Sequence, residues 1–177
     1  MSSKGTGYTL GLGILVAFIG YILWQITIGI DTKSDDITTI LTNSGDGSAM
    51  IKTASILICI GMVVHVVGLV STKGTATGTM ETIGIYSIVT AIALWITNIG
   101  LGLSLAEMGE KFSAAMAGGD AATAGTIATA AGFSQAANVA TSTMGALFAG
   151  IGWLCLGIAY RDAEVKGVIS FIPLSML

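Results

Sequence analysis

Charge is what this chain has least of. Acidic and basic side chains make up 10% of its 177 residues, and the stretches 5–30, 53–72, 82–106 and 121–160 contain none. An ionisable group inside a membrane segment marks proton relays, ion-coupled carriers and voltage sensors, so its absence from these runs argues against all three. No pair of interrupted apolar segments occupies matching halves of the chain, which disfavours an inverted-repeat transporter. Histidine occurs once, as His65 inside an apolar run, while the acids lie outside the runs, so a nucleophile, a base and an orienting acid cannot converge. Phosphate-loop and zinc-ligand spacings are missing as well. A net charge of -3 leaves no basic footprint for nucleic acid.

Cysteine is nearly as scarce. Cys59 falls in the outer half of the second run and Cys155 near the inner end of the fourth. At 1.5 Å per residue their depths differ by about 10–20 Å, whereas a disulfide tolerates a Cα separation of about 7 Å. Two free thiols are expected.

What the chain has in abundance is uninterrupted apolar sequence, 53% hydrophobic residues overall. Crossing roughly 30 Å of hydrocarbon takes about 20 residues of helix, the one open segment that satisfies all its own backbone polar groups. The expected fold is therefore all-α, an integral membrane four-helix bundle forming a single domain over 1–177. Its spans are placed at about 8–30, 53–71, 82–105 and 139–160, with an outer loop at 31–52, an outer helical region at 106–138 and an apolar tail at 161–177. The first run is too long for a signal-peptide core and no small-residue cleavage pattern precedes Asp31, so it reads as an uncleaved anchor. The tail is too short to cross the bilayer and is expected to lie on the membrane or against a partner.

Lys and Arg collect on the cytoplasmic side of short flanks. With both termini inside, the inner segments carry Lys4, Lys73, Arg161 and Lys166, against Lys33, Lys52 and Lys111 outside. The outer segments then hold Asp31, Asp35, Asp36, Asp46, Glu107, Glu110 and Asp120, an acidic face. This gives an N-in, C-in protein of the cytoplasmic membrane, with Tyr8 near the inner interface and Trp24 near the outer one.

Within the outer loop, Ser34 or Asp35 is positioned to cap a short helix through Leu41, and Asn43 to Ser48 reads as turn. Gly118 and Gly119 stop the third helix. Asp120 sits where an N-cap belongs, and the helix after it is expected to begin outside the membrane, through AATAGTIATAAGFSQAAN, before entering near Val139. A re-entrant hairpin or a fifth span is the alternative there.

The sharpest candidate constellation is Cys59, Met62 and His65, spaced by three along the second span so that they share one helix face. Thiolate, thioether and imidazole suit Cu(I), and an imidazole alone suits a haem. The competing reading is that Met and Cys fill apolar space while His65 hydrogen-bonds a neighbouring backbone carbonyl; it outweighs the first, because consecutive triplets spread ligands along ~9 Å of axis. Asn98 is the foremost of the mild polar residues that tie membrane helices together. Small residues recur at helix-contact spacing, Gly7 with Gly11, Gly61 with Gly68, Ala146 with Gly150 and Gly152 with Gly157; spacing alone leaves open whether they serve the bundle or a neighbour.

Two functions follow from these readings. The first, and the favoured one, is a non-catalytic accessory subunit packed on larger integral membrane partners in a hetero-oligomer, with no cofactor of its own. The second is a stand-alone bundle binding a metal, haem or hydrophobic ligand through His65. In outline, small, acidic, four-span, rich in Gly, Thr, Ile and Ala and headed by MSSKGTGYTL, the chain resembles the accessory transmembrane subunits around the archaeal ammonia monooxygenase. That resemblance implies a copper-dependent complex whose metals sit in other subunits, with this chain supporting a trimeric assembly. An accessory subunit of a respiratory complex would fit the same residues.

Overall fold

The computed structural model describes residues 3–76 and 78–161, and every regular element among them is helical. The apolar tail from 162 onwards and Lys166 lie outside the described residues. The elements are α1 (Ser3–Ile28), α2 (Ile37–Asp46), α3 (Ser48–Val70), α4 (Thr79–Ala117) and α5 (Ala121–Arg161). Four of them, all but α2, are long and apolar enough to span a membrane. Nothing in their sequences interrupts the backbone hydrogen-bond ladder, since the one proline lies at 173.

These four helices are not equivalent neighbours. They form two close antiparallel pairs, α1 with α3 and α4 with α5, that lean on each other less intimately. Within the first pair the backbones nearly touch: a Cβ on Gly13 would fall 2.4 Å from the His65 backbone nitrogen, and one on Gly61 would fall 2.4 Å from that of Ala17. In the second pair Gly84 and Gly152 oppose each other, and a Cβ on either would lie 2.9 Å from the other's carbonyl oxygen. Close approach of small residues is how helices associate where no hydrophobic effect drives them together. Between the pairs the contacts are instead made by large side chains. Ala17, Ile58 and Ile99 pack with Trp24, Cys59 and Met62, and nearer the end that holds the α3–α4 connection Leu69, Ile85, Ile88, Ile92 and Leu156 form a second cluster. Trp24 packs its ring onto Gly102 of α4.

The connection between α1 and α3 differs most from expectation. Its helix is capped by Asp36, whose carboxylate accepts from the Thr39 backbone amide, and it continues through the expected turn as far as Asp46. Gly47 is the only joint before α3 begins at Ser48. Tertiary contacts hold the polar segment helical. The Asn43 side chain donates to the Ile28 carbonyl at the end of α1, at 2.7 Å, and Gly45 lies against the backbone of Gly109 on α4. Ile40 and Leu41 are then buried with Leu105, Phe112, Ala124 and Ala131 in a small core of their own.

α5 is one continuous helix, started by Asp120, whose carboxylate takes the Thr123 amide and hydroxyl, so neither a re-entrant hairpin nor a fifth span occurs between 121 and 161. The start of α1, the α3–α4 connection and the end of α5 share one end of the molecule, where Gly68 meets Leu10 and Tyr160 meets Thr75. Asn98 stands level with Asn138. The expected exit of the third span at 105 and entry of the fourth at 139 are thus about 12 Å apart along the axis, and α5 reaches the level of Leu105 near residue 131.

Candidate functional site

Each of the metal-ligand candidates has packing or hydrogen-bond partners within the bundle. His65 is 6% exposed, and its Nδ1 lies 3.0 Å from the Leu10 carbonyl oxygen of α1. A carbonyl can only accept, so Nδ1 carries the proton and donates. The ring stands tilted to Trp153 with centroids 6.5 Å apart, which makes His65 a point where α1, α3 and α5 meet. Met62 packs into both clusters between the helix pairs. Cys59 borders an apolar groove beside Leu103 of α4. Both cysteines are free thiols. Among the described residues, no three His, Cys, Asp or Glu side chains gather at one point.

Asn98 makes the interhelical bond its type suggests, and it has a counterpart. Its side-chain amide donates to the Asn138 carbonyl at 2.6 Å, and the Asn138 amide donates back to the Asn98 carbonyl at 3.0 Å. Each bond runs from a side chain to the backbone of the facing helix. The pair fixes the register of α4 against α5.

The residue that the sequence reading passed over is Glu81. It sits in the first turn of α4 and is 4% exposed. Oε2 accepts the Gly74 backbone amide and Oε1 the Ala76 amide, both at 2.9 Å, while the Tyr160 hydroxyl donates to Oε1 at 3.1 Å. Tyr160 is also hydrogen-bonded to the Thr75 hydroxyl. One carboxylate thereby ties the glycine-rich α3–α4 connection to the ends of both α4 and α5. A signal was present: an acid at the head of an apolar run, shortly after STKGTATG, a segment with backbone amides to satisfy. Outside this knot Lys73 stands over the Tyr86 ring, 5.1 Å from its centroid.

The small residues divide cleanly. Gly61 and Gly68 are buried against α1, and Gly152 against α4. Gly7, Gly11, Gly150 and Gly157 would meet nothing within 4 Å, and Ala146 is exposed. Along this part of α5 the buried small residues are Gly145, Ala149 and Gly152, the first two one position before Ala146 and Gly150. Gly145 lies beneath the Trp95 ring. The opposite face of α5 therefore shows Met144, Leu147, Leu154 and Ile158 with Gly150 among them, and α1 shows Tyr8, Leu12, Leu15, Ile19, Ile22 and Ile26.

No family model, curated protein or solved structure is matched by this chain.

Proposed function

We propose that this chain is a non-catalytic structural subunit of a larger integral membrane complex. The observation that carries the reading is the division of its small residues: one set brings its own helices together, while Gly7, Gly11, Ala146 and Gly150 lie open on outward apolar faces. Open small positions are where another helix approaches closely. The polar groups add support, because His65, Asn98, Asn138 and Glu81 all bond within the chain. The copper-dependent ammonia monooxygenase whose accessory subunits the sequence resembles is the assembly to test first, with copper held by partner subunits.

In this reading the protein is a hetero-oligomer component of the cytoplasmic membrane. Lys4, Lys73 and Arg161 lie at the end shared by the start of α1, the α3–α4 connection and the end of α5, and this gathering of positive charge supports a cytoplasmic location for that end. At 39 and 41 residues, α4 and α5 are about 60 Å long, roughly twice the hydrocarbon thickness. Their outer ends stand clear of the bilayer with α2 packed against them, an extramembrane helical extension with acidic surroundings.

Native mass spectrometry of gently solubilised membranes tests this. The expected result is a stoichiometric complex with larger membrane subunits. A chain that purifies alone, carrying a metal or a chromophore lost on His65→Ala, would transfer the function to the stand-alone ligand binder.

A further inference from the structure

Between α3 and α4, below their outer ends, a groove of about 420 Å³ opens sideways, lined by Lys52, Ser55, Ile56, Cys59, Ile60 and Leu103. Below Lys52 the polar hydroxyl in its wall is already engaged, the Ser55 hydroxyl donating back to the Ile51 carbonyl at 2.7 Å. The lining side chains between Lys52 and Ile60 cover ~12 Å of helix axis and are carbon apart from the Lys52 ammonium, the Ser55 hydroxyl and the Cys59 thiol, a surface complementary to hydrocarbon.

The outer end of the groove is chemically different. Lys52 Nζ bridges to Glu110 Oε1 of α4 at 3.0 Å, and both side chains are half exposed. An ammonium has three donors, and this bridge uses one of them. Lys52 stands where α3 meets the acidic outer end of the molecule, at headgroup level if the four apolar helices span the bilayer. A cation above a carbon-lined slot is complementary to a phosphate above a hydrocarbon chain.

We infer that this groove holds one hydrocarbon chain of a phosphate-headed membrane lipid, with Lys52 donating to the phosphate. The inference rests on the membrane placement of α3 and α4, not on the subunit reading, so either can fail alone. It assigns Ile56, Cys59, Ile60 and Leu103 to chain contact and Lys52 to headgroup choice.

The test is native mass spectrometry of the delipidated full-length protein with two probes of identical chains, phosphatidylglycerol and diacylglycerol. One phosphatidylglycerol per chain is expected to be retained, at several-fold higher occupancy than diacylglycerol. Lys52→Gln should erase that preference, and Cys59→Phe, which fills the slot, should remove retention of both. If Cys59→Phe fails to fold, alkylating Cys59 with a bulky maleimide in folded Cys155→Ser protein closes the same groove. Retention that survives a closed groove, or a preference that survives Lys52→Gln, overturns the inference. So does a polypeptide, in place of lipid, cross-linked to Cys59 in native membranes.

Discussion

Asn98 of α4 and Asn138 of α5 each donate a side-chain amide to the other's backbone carbonyl, at 2.6 and 3.0 Å. The two side chains face each other, yet neither is the other's acceptor. Replacing one therefore removes one bond and leaves the second intact.

That geometry makes the first prediction one of additivity. Asn98→Ala and Asn138→Ala should each lower stability by about 0.5–2 kcal/mol, and the double variant should show their sum. Reversible unfolding in mixed micelles, read as a double-mutant cycle, checks this. A coupling energy as large as the single effects would show that the side chains act on each other.

The glycines predict opposite outcomes for the same substitution. Gly13→Ala and Gly61→Ala put a Cβ 2.4 Å from backbone atoms of the facing helix, which cannot give way as a flexible side chain can. Each should cost about 1–3 kcal/mol, the usual penalty of overpacking. Gly7→Ala and Gly150→Ala meet open space and should be neutral, or stabilising by up to about 1 kcal/mol through helix propensity. Under the proposed function, Gly150→Leu should leave thermal unfolding of the isolated chain unchanged and weaken its retention by the complex.

His65 is expected to act as a structural pin. His65→Ala removes the bond to the Leu10 carbonyl and empties a buried site beside Trp153, for a loss of about 1–3 kcal/mol. His65→Phe keeps most of the volume and should lose less. Thermal unfolding ranks the three proteins, and equal stability of His65→Ala with the parent would contradict the role.

Glu81 should govern the α3–α4 connection. Glu81→Gln presents an amide where the Gly74 or Ala76 amide needs an acceptor, so it should cost more than Tyr160→Phe, which removes one donor only. Hydrogen exchange at Gly74 and Ala76 is the direct readout, and Glu81→Gln should accelerate both.

Acidification should loosen the two capped helix starts. The Thr39 hydroxyl bonded to Asp36, and the Thr123 hydroxyl bonded to Asp120, hold both carboxyls below their ordinary value, with the backbone amides of the same threonines acting in the same direction. A carboxyl lowered by folding stabilises the folded form above its unfolded pKa, about 3.9, and that contribution is lost as the pH falls through the folded value. Amide exchange at Thr39 and Thr123, relative to the pH dependence of free amides, should therefore speed up below about pH 4. Asp36→Asn and Asp120→Asn keep a capping oxygen and should flatten that profile.

Much of this molecule was legible in the order of its residues, because in hydrocarbon a long apolar run has no economical alternative to the helix. The length and charge of each run were enough to mark α1, α3, α4 and α5, and Asp120 announced the start of α5 by type and place. The first half of α2, through Leu41, was legible, but its second half was not, since Asn43 and Gly45 favour turns locally and become helical only against Ile28 and Gly109. Glu81 was hidden for a related reason: its partners Gly74, Ala76 and Tyr160 come from two other parts of the chain.

Which face of each helix turns inward was beyond the sequence altogether. Small residues occur almost all round α5, so its periodicity selects no side, and Ala146 with Gly150 looks as good a contact as Gly145 with Ala149. Packing on α4 decides it, where Trp95 needs the gap at Gly145 and Ile88 the gap at Gly152. Composition thus determined the solvent and the number of apolar helices, because backbone hydrogen bonding is satisfied within each segment. Rotation, register and the outward surface were decided only in the tertiary structure, because they depend on how the bulk of one helix fits the hollows of another.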